Sequence, residues 1–386
     1  MSDEAATIDE LAAELRRLQV CRIHTLAWRD LADPDAGGSE VHADEFIRRW
    51  VAAGMDVTHR TSGLAGRSAE SVRDGYRVVN RGGRMTVFPR TVMSETFRRE
   101  GSFDALVEIW NGVPWMGPLW TRKPRLVFLH HVHGPMWDQI LPAPFAALGR
   151  ALETKVAPPL YRRSSVLTPS DATRDELLEI GFRAERVLAV PNGVDPSFRP
   201  GGSRSPTPLV VAVGRLAPVK RFELVIAAAI EARERVPGLR LQIVGDGPER
   251  EKLEHLIADA DAGSWITLLG RVDHLDLVNL YRSAWVVTSA SLAEGWGLSL
   301  TEAAACGTTA VASDIRGHRS SVLQGETGVL VPVEQLGATL ADVLLDDERR
   351  EALASRAQRR ALTLTWDAVA TTMLAALLAE TKARRR

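Results

Sequence analysis

Glu294 and Glu302 are separated by seven residues in Glu294-Gly295-Trp296-Gly297-Leu298-Ser299-Leu300-Thr301-Glu302. The first lies in a glycine-punctuated turn after an apolar run; the second falls about one turn into a helix expected to begin near Leu298. One carboxylate then lines a strand end while the other reaches back from the helix. Such a pair suits a polyhydroxylated ligand whose phosphates meet helix N-terminal amides, because unpaired N–H groups and the positive end of the helix dipole attract anions.

Cations of the matching kind occur upstream in Val211-Ala212-Val213-Gly214-Arg215-Leu216-Ala217-Pro218-Val219-Lys220-Arg221. A strand ending in Gly214 places Arg215 and Lys220 at the carboxyl edge of a parallel sheet, where such folds bind ligands. Arg offers a fork and Lys a point charge, a combination suited to a diphosphate. Solvated surface cations at a strand end are the lesser reading even when the pair is taken alone, and the two Glu residues that follow reduce it further. Gly245-Asp246-Gly247-Pro248 looks like a dinucleotide turn but lacks the third glycine, so a bare structural turn stands beside ligand contact.

Three further clusters lie in the first half. Asp33-Pro34-Asp35-Ala36-Gly37-Gly38-Ser39-Glu40 joins the first strand to a helix, and its glycines would let backbone approach a phosphate or sugar; a ligand-free flexible loop is the bland alternative. His130, His131 and His133 follow an apolar strand without a carboxylate or Cys at ligand spacing, so one His facing the crevice is expected rather than a metal site. Trp110, Asn111, Trp115 and Trp120 crowd another strand end, where core packing, acceptor stacking and contact with a membrane surface all stay open.

The elements that must position these residues alternate. Strands are expected at Cys21 to Ala27, Asp56 to Thr61, Ala105 to Ile109, Arg125 to Leu129 and Ser165 to Leu167. In the second half they are expected at Leu209 to Val213, Leu239 to Val244, Ile266 to Leu269, Trp285 to Thr288, Thr309 to Ala312 and Gly328 to Val331. Continuous apolar runs alternating with amphipathic helices such as Glu40 to Ala53 argue parallel sheets covered on both faces. The Pro-, Gly- and Ser-rich stretch from Asp195 to Pro208 reads as an interdomain linker. The expected organisation is an α/β domain over 1–200, a second over 201–365, and a helix over 366–386 crossing back to the first.

At 386 residues, with 45% hydrophobic and 25% charged residues, the chain is a soluble globular type too long for one core. A net charge of −1 gives no reason to expect nucleic acid, and two Cys residues without ligand spacing argue neither disulfides nor structural zinc. Asp3, Glu4, Asp9, Glu10 and Glu14 replace the basic start of a signal peptide, and no run approaches the ~20 apolar residues of a membrane span. A cytoplasmic protein is expected, with membrane contact at most peripheral. Arg67, Arg73, Arg77, Arg81, Arg84 and Arg90 offer a face for an anionic lipid or phosphorylated acceptor, or an ordinary solvated face among Glu70, Asp74 and Glu95.

Together these residues resemble the retaining glycosyltransferases of family 4. The family's Gly-Arg-four residues-Lys element matches Gly214, Arg215 and Lys220, its paired Glu residues match Glu294 and Glu302, and Pro191-Asn192-Gly193-Val194-Asp195 is family-like. The resemblance implies the GT-B fold, two doubly wound Rossmann-like domains facing a central cleft. It implies that Arg215 and Lys220 hold the donor diphosphate, Glu302 the ribose, and Glu294 with the amides of Gly295, Trp296, Gly297 and Leu298 the transferred sugar. His130 aligns with the family's active-site His, Gly38 with the loop facing the donor, and Arg271 and Val272 with the part receiving the base. No metal is expected, since the cations would do its work. Ala290, where the family commonly has Pro, and Arg319-Ser320, where it has Pro-Glu, are departures expected to change loop packing more than chemistry.

The activity implied is transfer of a hexose, glucose or mannose, from a UDP- or GDP-sugar to a hydroxyl of a carbohydrate, glycolipid or small-molecule acceptor, with retention. The linker implies closure over the donor. A nucleotide-sugar epimerase of the same fold and a non-catalytic nucleotide-sugar binder are the competing readings. Epimerisation of donor alone, or tight donor binding without turnover, would distinguish them.

Overall fold

The computed structural model describes residues 6–385, so Asp3 and Glu4 lie outside the described residues. The chain forms two compact units, 1–192 with 366–386, and 193–365.

The second unit is built on six parallel strands, β9 (Leu209–Val213), β10 (Arg240–Val244), β11 (Ile266–Gly270), β12 (Val286–Ser289), β13 (Thr309–Ser313) and β14 (Gly328–Val331). Their order is β11-β10-β9-β12-β13-β14, so the winding reverses between β9 and β12. These are the strands that the apolar runs predict. Val210, Ile243, Val286 and Val311 point to one helical layer, and Val211, Val287, Ala310 and Ala312 to the other. Burial on both faces explains why the runs are continuous rather than alternating.

The first unit carries β1 (Arg22–Leu26), β2 (Asp56–Thr61), β3 (Glu70–Arg73), β4 (Tyr76–Asn80), β5 (Ala105–Trp110), β6 (Arg125–Leu129), β7 (Ser165–Thr168) and β8 (Val187–Ala189). The order β3-β4-β2-β1-β5-β6-β7-β8 reverses between β1 and β5. β3 and β4 form an antiparallel hairpin through Asp74 (φ 44°) and Gly75 (φ 85°). Asp-Gly is a strong short-range hairpin signal, and the continuous apolar runs that mark the buried parallel strands do not include this edge hairpin.

The stretch from Asp195 to Pro208 is not a free linker. Val194 bridges to Thr365, Phe198 is buried in the second unit's core, and Arg282 Nε donates to the Arg199 carbonyl at 2.8 Å. The indole of Trp285 donates to the Ser205 carbonyl at 2.8 Å. The units therefore divide at Asn192/Gly193, not at 200/201, because hydrogen bonds and Phe198 bind the proline-rich segment to the domain that follows. The helix Trp366–Ala383 belongs to the first unit, where Met373, Leu374 and Leu377 are buried and Trp50 Nε1 donates to the Ala370 carbonyl at 2.9 Å.

Candidate functional site

In the second unit the turn after β9 and the loop after β12 are pinned to each other. Leu292 N–H donates to the Val219 carbonyl at 2.8 Å. Arg221 donates through Nε to the Ala290 carbonyl at 2.7 Å and through its terminal nitrogen to the Ser291 carbonyl at 3.0 Å. Arg221 holds a left-handed backbone (φ 49°), a cost for a side-chain-bearing residue that these bonds offset. Ala290 thus departs from the family's Pro in a buried position whose carbonyl is already taken.

The pinning brings Lys220 onto Glu294: Nζ forms an ion pair with Oε1, which also accepts from Ser291 Oγ at 2.8 Å. Burial alone would raise the Glu294 carboxyl, but Lys220, then His318 and the Ser291 hydroxyl, hold it below the usual range. Oε2 carries no protein hydrogen bond among the described residues. Gly297 (φ 100°) caps the helix Leu298–Ala305, which begins four residues after Glu294. Trp296 is buried, its indole directed to Thr301 Oγ1 at 3.4 Å, so this residue contributes backbone rather than a ring face.

Glu302 differs in its surroundings. Its Oε2 accepts from the Tyr281 hydroxyl at 3.0 Å, among the described residues no cation pairs with it, and burial followed by the nearby Asp195 charge raises it to about 7 despite that hydroxyl. Two carboxylates eight positions apart in sequence, one in the loop and one in the helix that follows it, are thereby tuned in opposite directions.

Backbone contacts explain the glycines around Arg215. A Cβ on Gly245 would fall 1.9 Å from the Gly214 carbonyl oxygen, and one on Gly247 2.4 Å from that of Leu216. Leu216 N–H donates to the Asp246 carbonyl at 3.0 Å. The Gly245-Asp246-Gly247 turn therefore buttresses the Arg215 turn by close backbone approach. Val272 follows β11, two strands from β9, which is about 10 Å at ordinary strand spacing. It lines a cavity of about 550 Å³ with Leu269, Asp276 and Asn279.

Two residues outside the charged motifs, Gly317 and His318, support the Glu294 turn. A Cβ on Gly317 would lie 2.1 Å from the Glu294 carbonyl oxygen, so only glycine lets the following helix pack there. His318 is fully buried, and its Nδ1 donates to the Ser313 carbonyl at 2.8 Å, which leaves Nε2 as an acceptor with no partner. Burial lowers its pKa, with Glu294 opposing. Arg319, the other departure, forms an exposed two-pronged pair with Asp314 at 2.6 and 2.8 Å.

In the first unit Gly38 opens the helix Gly38–Ala52, and the loop before it is held rather than free. Gly37 N–H donates to Glu40 Oε2 at 2.7 Å, and Arg84 pairs with Asp33 and Asp35. Asn111 Nδ2 donates to Ser39 Oγ at 3.3 Å, joining the end of β5 to this helix start. His130, at the end of β6, is buried with Nε2 unpartnered. Burial, then His42 and His131, lower its pKa well below the usual range, so the ring is neutral. His42, buried at about pKa 3, meets it edge-on at 5.1 Å.

The first-unit acceptor-side aromatics need correction. Trp110 and Trp115 are each 1% exposed. Trp110 donates to the Gly112 carbonyl at 2.6 Å and Trp115 to the Ile109 carbonyl at 3.0 Å, so both are core residues that present no ring to a ligand. The arginine face is also largely spent: Arg73 pairs with Asp30, Arg77 and Arg81 with Glu70 and Glu100, and Arg84 as above. Glu153, unmarked in the sequence, is fully buried in a π-helical turn, Leu152–Val156. Its carboxylate accepts from the amides of His133 (2.8 Å) and Gly134 (2.9 Å) and from the Trp137 indole (3.1 Å), anchoring the histidine loop. His133 stacks on His131 at 4.3 Å, and among the described residues no three His, Cys, Asp or Glu side chains are grouped to hold a metal.

The family model for "Glycosyltransferase Family 4" matches residues 36–198 and that for "Glycosyl transferases group 1" matches 194–360. A D-inositol 3-phosphate glycosyltransferase of Kribbella flavida is 28% identical over 410 residues, covering 94% of this chain and 95% of the relative. A GDP-mannose-dependent alpha-(1-6)-phosphatidylinositol monomannoside mannosyltransferase of Mycolicibacterium smegmatis is 28% identical over 353 residues, covering 85% and 91%. Among solved structures, sucrose-phosphate synthase from Thermosynechococcus elongatus superposes with a TM-score of 0.77 at 21% identity, over 92% of this chain and 97% of that one. That likeness concerns the fold. Among the described residues no helix is long and apolar enough to cross a membrane.

Proposed function

The chain belongs to glycosyltransferase family 4 and is an enzyme of GT-B fold, and from that premise we propose that it transfers a hexose from a UDP- or GDP-sugar to an acceptor hydroxyl with retention. The observation that carries the reading is the Lys220–Glu294 pair, joining the loops after β9 and β12 at the point where the strand order reverses, four residues ahead of the helix Leu298–Ala305. Such reversal points are where open α/β sheets bind nucleotides.

Each residue then has a task. Lys220 and Arg215 meet the diphosphate, whose charge grows as the bond from sugar C1 to phosphate oxygen breaks; cations already in place stabilise that charge most in the transition state. The acceptor oxygen bonds to C1 on the same face, and its proton passes to the departing phosphate oxygen, so no protein nucleophile is required. Glu294 keeps Oε2 for sugar hydroxyls, since Oε1 is occupied by Lys220 and Ser291. Glu302 takes the ribose hydroxyls, and the backbone by Val272 the base. In the first unit the neutral His130 offers Nε2 to a hydroxyl. Arg215, Lys220 and the helix amides together supply the positive charge, so the reaction proceeds without a divalent ion.

Calorimetric titration with UDP, GDP, ADP and their glucose and mannose conjugates tests the reading. One of the UDP or GDP pairs is expected to bind, with sugar release to acceptor exceeding hydrolysis once an acceptor panel is added. Absence of binding by every nucleotide, or conversion of donor alone into an epimeric sugar nucleotide, would overturn it.

A further inference from the structure

We propose that the amino edge of the first unit's sheet docks on an anionic lipid surface. β1, β5 and β6 are parallel neighbours, so Arg22, the 102–104 loop and the 121–124 loop share that edge. Between them lies a cavity of about 320 Å³ lined by Arg22, Arg98, Ser102, Phe103, Trp120 and Lys123. Beside it, large apolar side chains face water: Met93 is 55% exposed, Phe97 65% and Leu119 71%.

The charges at this edge differ from those elsewhere in the unit. Arg98, Arg99, Arg122 and Lys123 are exposed and, among the described residues, none pairs with a carboxylate, whereas Arg73, Arg77, Arg81 and Arg84 all do. The acids at hand are committed: Asp104 to Arg22 at 2.9 Å, and Glu95 to His24 and Arg60 at 2.6 Å each. A solvated face would scatter its cations among acids and keep large apolar groups apart. Cations without a carboxylate partner around exposed Phe and Leu, with Arg99 over the Phe97 ring at 5.8 Å, instead match a surface whose apolar tips enter the headgroup boundary while Arg and Lys meet anionic headgroups. The cavity admits a lipid phosphate between Arg98 and Lys123.

The docked edge is opposite the carboxyl-edge loops that carry Gly38, Asn111 and His130. The five residues of β1 separate the two edges by about 17 Å. Docking therefore anchors the protein and leaves those loops off the lipid plane. The inference does not depend on the transferase reading.

Flotation with phosphatidylglycerol–phosphatidylcholine vesicles tests it, with pure phosphatidylcholine vesicles and a single-stranded oligonucleotide as comparisons. The protein should float with the anionic vesicles alone, and less at high salt. Arg98→Ala with Lys123→Ala should lower partitioning about 25-fold, taking roughly fivefold per cation near an anionic surface. Phe97→Ser with Leu119→Ser should lower it without changing the salt dependence. Unchanged circular dichroism and an unchanged urea-unfolding midpoint for each variant show that the fold is intact. No flotation of the unmodified protein, equal flotation of the variants, or equal competition by the oligonucleotide would overturn the proposal.

Discussion

The carboxyl edges of the two sheets share a topology and differ in chemistry. Each sheet reverses its winding next to its first strand, and each follows that strand with a turn leading into a helix. In the second unit the reversal collects charge: Arg215, Lys220, Glu294 and Glu302. In the first it collects Gly38, Ser39 and Asn111, with the neutral His130 on the next strand. The fold supplies a crevice in both cases, and the strand-end residues decide what enters it. Under the proposed function, an anionic donor would belong with the first set and a hydroxyl-bearing ligand with the second.

This contrast can be broken by substitution. Lys220→Ala should lower turnover roughly 100- to 1000-fold, as for removal of one preorganised charge-stabilising donor; little loss in a transfer assay would remove the charged edge from catalysis. Glu153→Ala orphans two buried donors and one part-buried donor in the first unit and should cost about 3 kcal/mol in urea unfolding. Nucleotide affinity should stay unchanged, because the damage is confined to the histidine loop; a fall in both would mean that the two edges are not separable. Gly317→Ala should weaken donor binding and cost about 1–3 kcal/mol, since its Cβ would meet the Glu294 carbonyl.

A pH dependence sharpens the contrast within the second unit. Ribose hydroxyls donate to carboxylate, so affinity for the nucleoside diphosphate should rise as pH rises through about 7, where Glu302 ionises, and then level off. Glu302→Gln should flatten that slope in titrations. The stability sign is opposite: with its carboxyl raised above the ordinary 4.5, Glu302 contributes stability fully present below 4.5 and lost as pH rises through about 7. The smallest effect is expected from Arg319→Ala, about 0.5 kcal/mol or less by thermal unfolding, because its pair with Asp314 is exposed.

The second unit was the more legible in sequence. Its strands are buried on both faces, so each appears as an apolar run, and its charges follow those strands at short, fixed spacing. What escaped are residues acting at a distance along the chain. Arg221 reaches Ala290, Gly317 approaches Glu294, and His318 fills the space behind that turn; periodicity encodes none of these contacts. In the first unit Trp110 and Trp115 are identical in type whether they pack in a core or stack on a ligand, and only burial separates the two. The same holds for the arginines: Arg73 and Arg98 are alike in sequence, yet one faces Asp30 and the other water. Proline and glycine marked the 195–208 stretch as irregular correctly, but irregular backbone is not thereby a hinge once Phe198 is buried.

The central claim is that Glu294 reads the transferred sugar and Glu302 the ribose. Titrating Glu294→Gln and Glu302→Gln with the nucleoside diphosphate and with its sugar conjugate tests it most directly. Glu294→Gln should lose affinity for the conjugate while keeping that for the bare diphosphate, and Glu302→Gln should lose both in equal measure. Equal losses for the two ligands in Glu294→Gln, or an undiminished diphosphate affinity in Glu302→Gln, would contradict the account.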